Sequence, residues 1–201
     1  PFIVYIKFLN GNKKIFFSDI QIKTFIKIIF ISVLILTIFI AFDKSIDFNF
    51  RSIFFNVVSI LTGTGYVNAQ FDSWGGFPII LFIILMFIGG CAGSTTCGIK
   101  IFRIQILYSF FINQIKKIIY PKGIFILKYD QNRVDNKFIA SIISFIYMYL
   151  VIFFIITMLL SLTGLDFITS LSGAATSISN VGPGLGSTIG PNGNFSSLPD
   201  I

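Results

Sequence analysis

The chain alternates long apolar stretches with short polar ones, and their lengths separate two kinds of element. Phe25–Phe42 runs for eighteen positions with Lys27 as its one charge, and Phe138–Leu162 runs for twenty-five with none. At 1.5 Å rise per residue, about 20 residues of helix cross the ~30 Å hydrocarbon layer of a bilayer. Both stretches therefore predict spanning helices, 25–42 and 138–162, with Lys27 able to extend its ammonium to the interface. Phe48–Leu61 is shorter, fourteen residues with apolar positions at Phe50, Phe54, Val57, Val58 and Leu61, a helical spacing. Asp166–Ser179 is also fourteen residues, rich in Ser, Ala and Thr. A helix of that length spans only about 21 Å, too short to cross but suited to a half-helix entering from one face.

A fifth region is interrupted. Phe77–Ile88 is apolar for twelve residues; Gly89-Gly90-Cys91-Ala92-Gly93-Ser94-Thr95-Thr96-Cys97-Gly98 follows, then Ile99–Ile119 with Lys100, Arg103, Lys116 and Lys117. One Gly pair would fit close packing of continuous helices. Four Gly and three Ser/Thr within ten residues predict a real break in a helix over 77–119, tolerated at membrane depth where the backbone is buried in protein or lines a watery path.

The two short segments occupy equivalent places. Each follows a predicted spanning helix and ends in a Gly-rich string: Thr62-Gly63-Thr64-Gly65-Tyr66 in one case, Asn180-Val181-Gly182-Pro183-Gly184 in the other. Phe42 to Thr62 is twenty residues, Leu162 to Asn180 is eighteen, and Gly65 and Gly182 are 117 apart. The order of spanning helix, half-helix, string and return is an internal repeat, the kind that builds a pore around an axis. The second copy lacks its returning helix. The chain opens at Pro1 rather than Met and closes after a loop-like run, so an internal piece of a longer membrane protein is expected, with no cleavable leader in 1–23.

Composition agrees. Apolar residues make up 55% of the 201 and charged residues 11%, with mean hydropathy +0.90. That is too little charge to cover a water-facing surface, and it excludes disordered and disulfide-stapled classes. The net charge of +7 is arranged for a membrane, not for nucleic acid. Lys7, Lys13, Lys14, Lys23 and Lys27 cluster at one end, and Lys100 through Lys137 form a second basic stretch. The positive-inside rule puts both in the cytoplasm. Segments 43–76 and 163–201, with Asp43, Asp47, Asp72, Asp166 and Asp200, are then outside.

The census also removes chemistries. There is no His, and the eight acids are all Asp, so a Ser-His-Asp triad and imidazole metal sites are excluded. Cys91 and Cys97 lack C-x-x-C spacing and read as small buried residues. An enzyme would have to use Ser94, Thr95 or Cys97 as nucleophile with Lys100 as the base at hand; the chain is not read as an enzyme. The strings suit a different chemistry. A dehydrated monovalent cation needs oxygen ligands, which backbone carbonyls supply. Glycine reaches the dihedrals that aim successive carbonyls together. A half-helix entering from outside also turns its C-terminal end, with about −0.5 charge, toward the ion. A broken-helix transporter for an anionic solute would want helix N-termini there instead. Trp74 reads as an interfacial anchor, and Tyr66 as packing on the half-helix rather than meeting the ion.

These residues are similar to a known family. The chain resembles the TrkH-type subunit of bacterial potassium uptake systems, within the Trk/Ktr/HKT superfamily. The resemblance rests on Ser59–Tyr66, Asp72-Ser73-Trp74-Gly75, Gly89–Thr95, Gly98-Ile99-Lys100, Tyr120-Pro121 and, most specifically, Ala175–Gly186. It implies an all-α integral membrane fold of potassium-channel-like helix–pore-loop–helix units, four per protein. This piece would hold the third and most of the fourth: a cytoplasmic connector 1–23; a third unit 24–119 with spanning helix 25–42, pore helix 48–61, filter 62–66 and broken helix 77–119; a cytoplasmic loop 120–137; and a truncated fourth unit 138–201 with spanning helix 138–162, pore helix 166–179 and filter 180–184.

By the same resemblance Gly65 and Gly182 are filter glycines, and Thr62, Gly63, Thr64, Asn180 and Val181 line the adjoining ion sites. Gly89, Gly90, Gly93, Ser94, Thr95 and Gly98 form the intramembrane gate loop. Thr96-Cys97 stands where the family often has Gly-Gly, implying a stiffer loop. K⁺ would be the transported ion, with no covalent cofactor. A homodimer in the bacterial inner membrane is implied, with a TrkA-type nucleotide-binding regulatory subunit docked below, 100–137 being its expected contact. A single Gly in the Gly65-Tyr66 string leaves a less selective Na⁺/K⁺ transporter of the same superfamily as the alternative.

Overall fold

The computed structural model describes residues 19–43, 49–130, 132–186 and 188–191, with single positions 5, 6, 9, 11, 193 and 196. The expected connector 1–23 lies outside them apart from its last residues and those single positions, as do Lys44, Asp47, Phe48 and Asp200.

Among the described residues, six α-helices and one small hairpin make up the fold. Helix α1, Ile20–Phe42, starts where the Asp19 carboxylate accepts from the amides of Gln21 and Ile22 at 2.8 and 3.0 Å, an N-cap that satisfies donors the first turn leaves free. Short helix α2 is Phe50–Thr62 and α3 is Gly76–Phe87, with a 3₁₀ turn at Phe71–Trp74 between them. Helix α4, Ile101–Ile119, leads to strands β1 (Lys128–Tyr129) and β2 (Asn132–Arg133), then to α5, Asn136–Leu162, and short helix α6, Phe167–Ser179. The sequence-read helices are all present, with shifted ends. α1 begins five residues earlier than expected, the break between α3 and α4 covers 88–100, and Thr62, expected in the first string, closes α2.

The core lies where the short helices meet the long ones. Val33, Leu36 and Ile40 of α1, Ile53, Val57, Ile60 and Leu61 of α2, Phe82, Leu85 and Met86 of α3, Phe153 of α5 and Ala174 and Ala175 of α6 form one apolar cluster. Trp74 belongs to it. It packs between Phe71 and Phe82, with ring centroids 6.4 and 6.2 Å away, instead of standing at an interface as the sequence suggested. Helix α6 is buried along Thr169, Ser170, Ser172, Gly173, Ala174 and Ala175, small side chains that let its backbone lie close against its neighbours.

Helices α1 and α5 are long and apolar enough to cross a bilayer, yet only 22% of the most apolar window of each is buried. Phe30, Phe42, Phe154, Met158 and Leu162 point outward. Such surface is stable against hydrocarbon or further apolar protein, not against water.

The hairpin in the stretch read as a simple loop, 120–137, was not anticipated. Leu127 beside it packs on Ile106, Ile139 and Ile142, and the Tyr129 hydroxyl donates to Gln105 Oε1 at 2.8 Å. Burial pushes that hydroxyl up to about 12, so it remains a donor at neutral pH. Gln105 Nε2 in turn donates to Thr24 Oγ1 at 2.6 Å, joining hairpin, α4 and α1. The Arg103 guanidinium covers the Phe145 ring at 3.9 Å and ties α4 to α5.

Phe82 is fully buried against Phe71 at a centroid distance of 4.5 Å. Truncating a core aromatic costs about 3–5 kcal/mol. In detergent melts of the full-length protein, Phe82→Ala is expected to unfold well below wild type, and Phe154→Ala, on the outward face, close to it.

Candidate functional site

Both short helices begin and end by the same chemistry. Asn49 caps α2 by accepting from the Ser52 amide at 3.3 Å, and Asp166 caps α6 by accepting from the Thr169 amide at 3.2 Å and from the Thr169 hydroxyl. At the other end Gly63 (φ 66°) and Asn180 (φ 50°) sit in the left-handed region that turns the chain out of the helix. Asn49 and Asp166, and again Gly63 and Asn180, are separated by the 117 residues that separate Gly65 from Gly182. The 117-residue spacing of the strings thus recurs in the caps and the backbone conformation.

A hydroxyl residue on each short helix then anchors its string. The Ser59 carbonyl accepts from the amides of Thr64 and Gly65 at 3.0 and 3.4 Å, and the Ser59 hydroxyl donates to the Tyr66 carbonyl at 2.6 Å. In the second copy the Thr176 carbonyl accepts from the Val181 amide at 3.1 Å, and the Thr176 hydroxyl accepts from the Gly182 amide at 2.8 Å. Ser59 and Thr176 are again 117 apart. Sequence reasoning missed both as functional positions, although the same spacing could have found them. Further out, Asn56 Nδ2 donates to Asn68 Oδ1 at 2.9 Å, and the Ser172 hydroxyl accepts from the Leu185 amide at 2.9 Å. These bonds fix the chain as it leaves each string.

The two strings meet. A Cβ on Gly65 (φ 72°) would stand 2.2 Å from the Val181 carbonyl oxygen, and one on Gly182 (φ 113°) 3.6 Å from Gly65 Cα. The dihedral and the close approach both demand glycine at 65. A Cβ on Gly63 would in turn stand 3.8 Å from the Asn180 carbonyl oxygen, so Gly63 and Gly65 of one string lie beside 180–182 of the other. Tyr66 does not pack on the half-helix as expected: its side chain is 73% exposed.

The break between α3 and α4 is closed at its neck. The Gly89 amide donates to the Ile99 carbonyl and the Ile99 amide to the Phe87 carbonyl, both at 2.9 Å, in a parallel bridge of Ile88 with Ile99. A Cβ on Gly89 would lie 2.3 Å from the Cys97 carbonyl oxygen, so the neck too needs glycine. The loop reaches the first string through Thr96, whose hydroxyl donates to the Thr62 carbonyl at 3.1 Å, and it reaches α1 through Ala92, whose amide donates to Gln21 Oε1 at 2.8 Å. The contact with the string thus falls on Thr96, which stands outside the residues named for this loop. Thr95 is exposed. So is Cys97, contrary to the expectation that both cysteines are buried; Cys91 is. Among the described residues no group of three or more Cys and Asp side chains is placed to hold a metal ion.

Comparison with known proteins decides the family. A family model described as TrkH, cation transport protein, matches residues 5–198. The chain belongs to the TrkH family. It is 38% identical over 201 residues to the Trk system potassium uptake protein TrkI of Halomonas elongata, covering all of this chain and 41% of that protein. It is 27% identical over 187 residues to TrkH of Escherichia coli K12, covering 91% of this chain and 39% of that protein. Among solved structures it is similar to the potassium transporter TrkH of Vibrio parahaemolyticus, with TM-score 0.85 and 26% identity over 92% of this chain and 41% of the other. This TrkH-family chain therefore spans about two-fifths of the length of these relatives.

A typical hydrogen bond is worth about 0.5–1.5 kcal/mol net, and the Gly182–Thr176 bond is only part-buried. Thr176→Val, which leaves the Gly182 amide unpaired, is expected to lower the melting temperature of the full-length protein, and Thr176→Ser to recover it. Equal melting of the two variants would show that the hydroxyl does not hold the string.

Proposed function

We propose that this chain is part of the ion-conducting subunit of a bacterial potassium uptake system and passes K⁺ inward through a filter built from its two Gly-rich strings. The observation that carries this reading is the meeting of Gly65 with Val181 and Gly182. Two helices end beside these strings, each with partial negative charge at its last carbonyls. Thr62, Gly63, Thr64 and Gly65 from one copy and Asn180, Val181 and Gly182 from the other offer backbone and hydroxyl oxygens, the ligands a dehydrated alkali cation accepts. Names of the relatives support the ion: they are potassium uptake proteins.

In this reading the chain holds the third and most of the fourth helix–pore-loop–helix unit of an inner-membrane protein, its basic stretches face the cytoplasm, and two copies form a dimer. The TrkA-type regulatory subunit docks on 100–137, where the hairpin gives a shaped surface. Loop 89–98, with Gly89, Gly90, Gly93, Ser94, Thr95 and Gly98, gates the path below the filter, and the Thr96–Thr62 bond supports that placement. A poorly selective Na⁺/K⁺ transporter of the same superfamily is the remaining variant of this reading. The enzyme reading has one observation in its favour, Lys100 Nζ at 3.1 Å from Ser94 Oγ. That nitrogen also donates to the carbonyls of Ser94 and Thr96, so it has no lone pair free to act as a base.

Two outcomes follow for the full-length transporter. Gly182→Ser meets only ordinary contacts but must hold φ 113°, and strain of this kind, about 1–3 kcal/mol, is worth on the order of tenfold in K⁺ preference over Na⁺. Gly65→Ser, which collides with Val181, should reduce flux as well. Unchanged K⁺/Na⁺ uptake ratios in both variants would refute the filter. Deleting Gly93–Gly98 should change rubidium flux while surface abundance is kept; unaltered flux would remove the gate.

A further inference from the structure

A lysine ammonium sits inside the loop that interrupts the helix. Lys100 Nζ donates to the Ser94 carbonyl at 2.9 Å, to the Ser94 hydroxyl at 3.1 Å and to the Thr96 carbonyl. Among the described residues no carboxylate pairs with it; its partners are loop oxygens. A half-buried charge without a counter-ion is costly unless its donors are met. Here three oxygens meet them, all from one short stretch of loop.

The same arrangement also works in the other direction. Two carbonyls two residues apart converge on one point, which their dipoles would resist without a cation between them. The ammonium thus joins the bonds from the Ser94 amide and hydroxyl to the Cys91 carbonyl, at 3.1 and 2.7 Å, in holding the loop's curl. One of its ligands continues to the filter: Thr96 accepts from Lys100 through its carbonyl and donates to the Thr62 carbonyl through its hydroxyl. Its methyl carbon stands 3.2 Å from where a Gly63 Cβ would be. Whatever holds Thr96 therefore holds the loop against the lower end of the first string.

We infer that Lys100 is the latch of this loop, a tethered cation whose grip on Ser94 and Thr96 keeps residues 89–98 closed under the filter. It is a positioning residue that acts through Thr96. The inference rests on the reading of the strings as filter and the loop as gate, and deepens it. The oxygens that hold the ammonium are of the type that hold K⁺, so latch and permeating ion draw on one kind of ligand.

Cys91, buried within the loop, supplies the probe. In full-length transporter with Cys91 as the sole cysteine, a charged thiol reagent is applied to the cytoplasmic face of membrane vesicles, and rubidium flux is recorded in parallel. Lys100→Met keeps the stem and removes the charge. Charge-assisted hydrogen bonds are worth enough that labelling should speed up about tenfold or more and flux should rise. Lys100→Arg, which keeps charge and donors, should return both toward wild type. Labelling of Lys100→Met at the wild-type rate overturns the latch. Faster labelling with unchanged flux upholds the latch and refutes the gate reading instead. Should Lys100→Met fail to reach the membrane, Lys100→Gln, neutral but still a donor, is judged by the same labelling rate.

Discussion

A peptide group that leaves a helix where water is scarce must find another hydrogen-bond partner, because the lipid offers none. The candidate site is organised around that requirement. Glycine frees the strings to turn, but glycine alone would leave their amides unpaired. Ser59 and Thr176 supply the missing partners from the last turns of α2 and α6. Their main-chain and hydroxyl oxygens take up amides of the strings, and the Ser59 hydroxyl takes up a carbonyl. Backbone held this way can keep its remaining oxygens for an ion. The outer bonds from Asn56 to Asn68 and from Ser172 to Leu185 extend the same solution to the exits.

Two short helices end at the strings, so helix C-termini and carbonyl oxygens bring negative potential there. The nearest acids along the chain, Asp72 beyond the first string and Asp166 at the N-cap of α6, stand outside the strings themselves. Under the proposed function this suits a cation: a fixed carboxylate would bind it more firmly, whereas conduction needs ligands weak enough to release it. The fixed charge at the break is positive, on Lys100, and it is held by carbonyls of the loop itself. Thr96 thus joins the Thr62 carbonyl at the end of α2 to the cationic side chain of Lys100.

Surrounding elements serve as a frame. Small residues let α6 sit in the interior, while the aromatic cluster of Phe71, Trp74 and Phe82 fills the space beside α3. The long helices α1 and α5 leave most of their apolar surface outward, and the relatives are more than twice as long as this chain. Both facts suit outer faces that meet lipid or further apolar protein. The hairpin closes the opposite end by polar bonds from Tyr129 through Gln105 to Thr24.

Much of this was legible in the order of residues. Helix existence follows from the length and apolarity of each stretch, and the 117-residue repeat follows from spacing, since both are properties of the chain in one dimension. The same spacing holds Ser59 and Thr176, though an isolated hydroxyl on an apolar helix carries no mark of its partner. Other features were decided in three dimensions. Trp74 turned inward because Phe71 and Phe82 enclose it, Tyr66 stayed outside, and the hairpin formed where Leu127 found an apolar seat. Helical and strand periods, turn-forming glycines and the charge asymmetry come from the sequence, because each depends on near neighbours. That the two strings touch, and that Lys100 and Thr96 join the break to the first of them, only the tertiary structure decides, because those contacts join residues that chain order leaves far apart or unaimed.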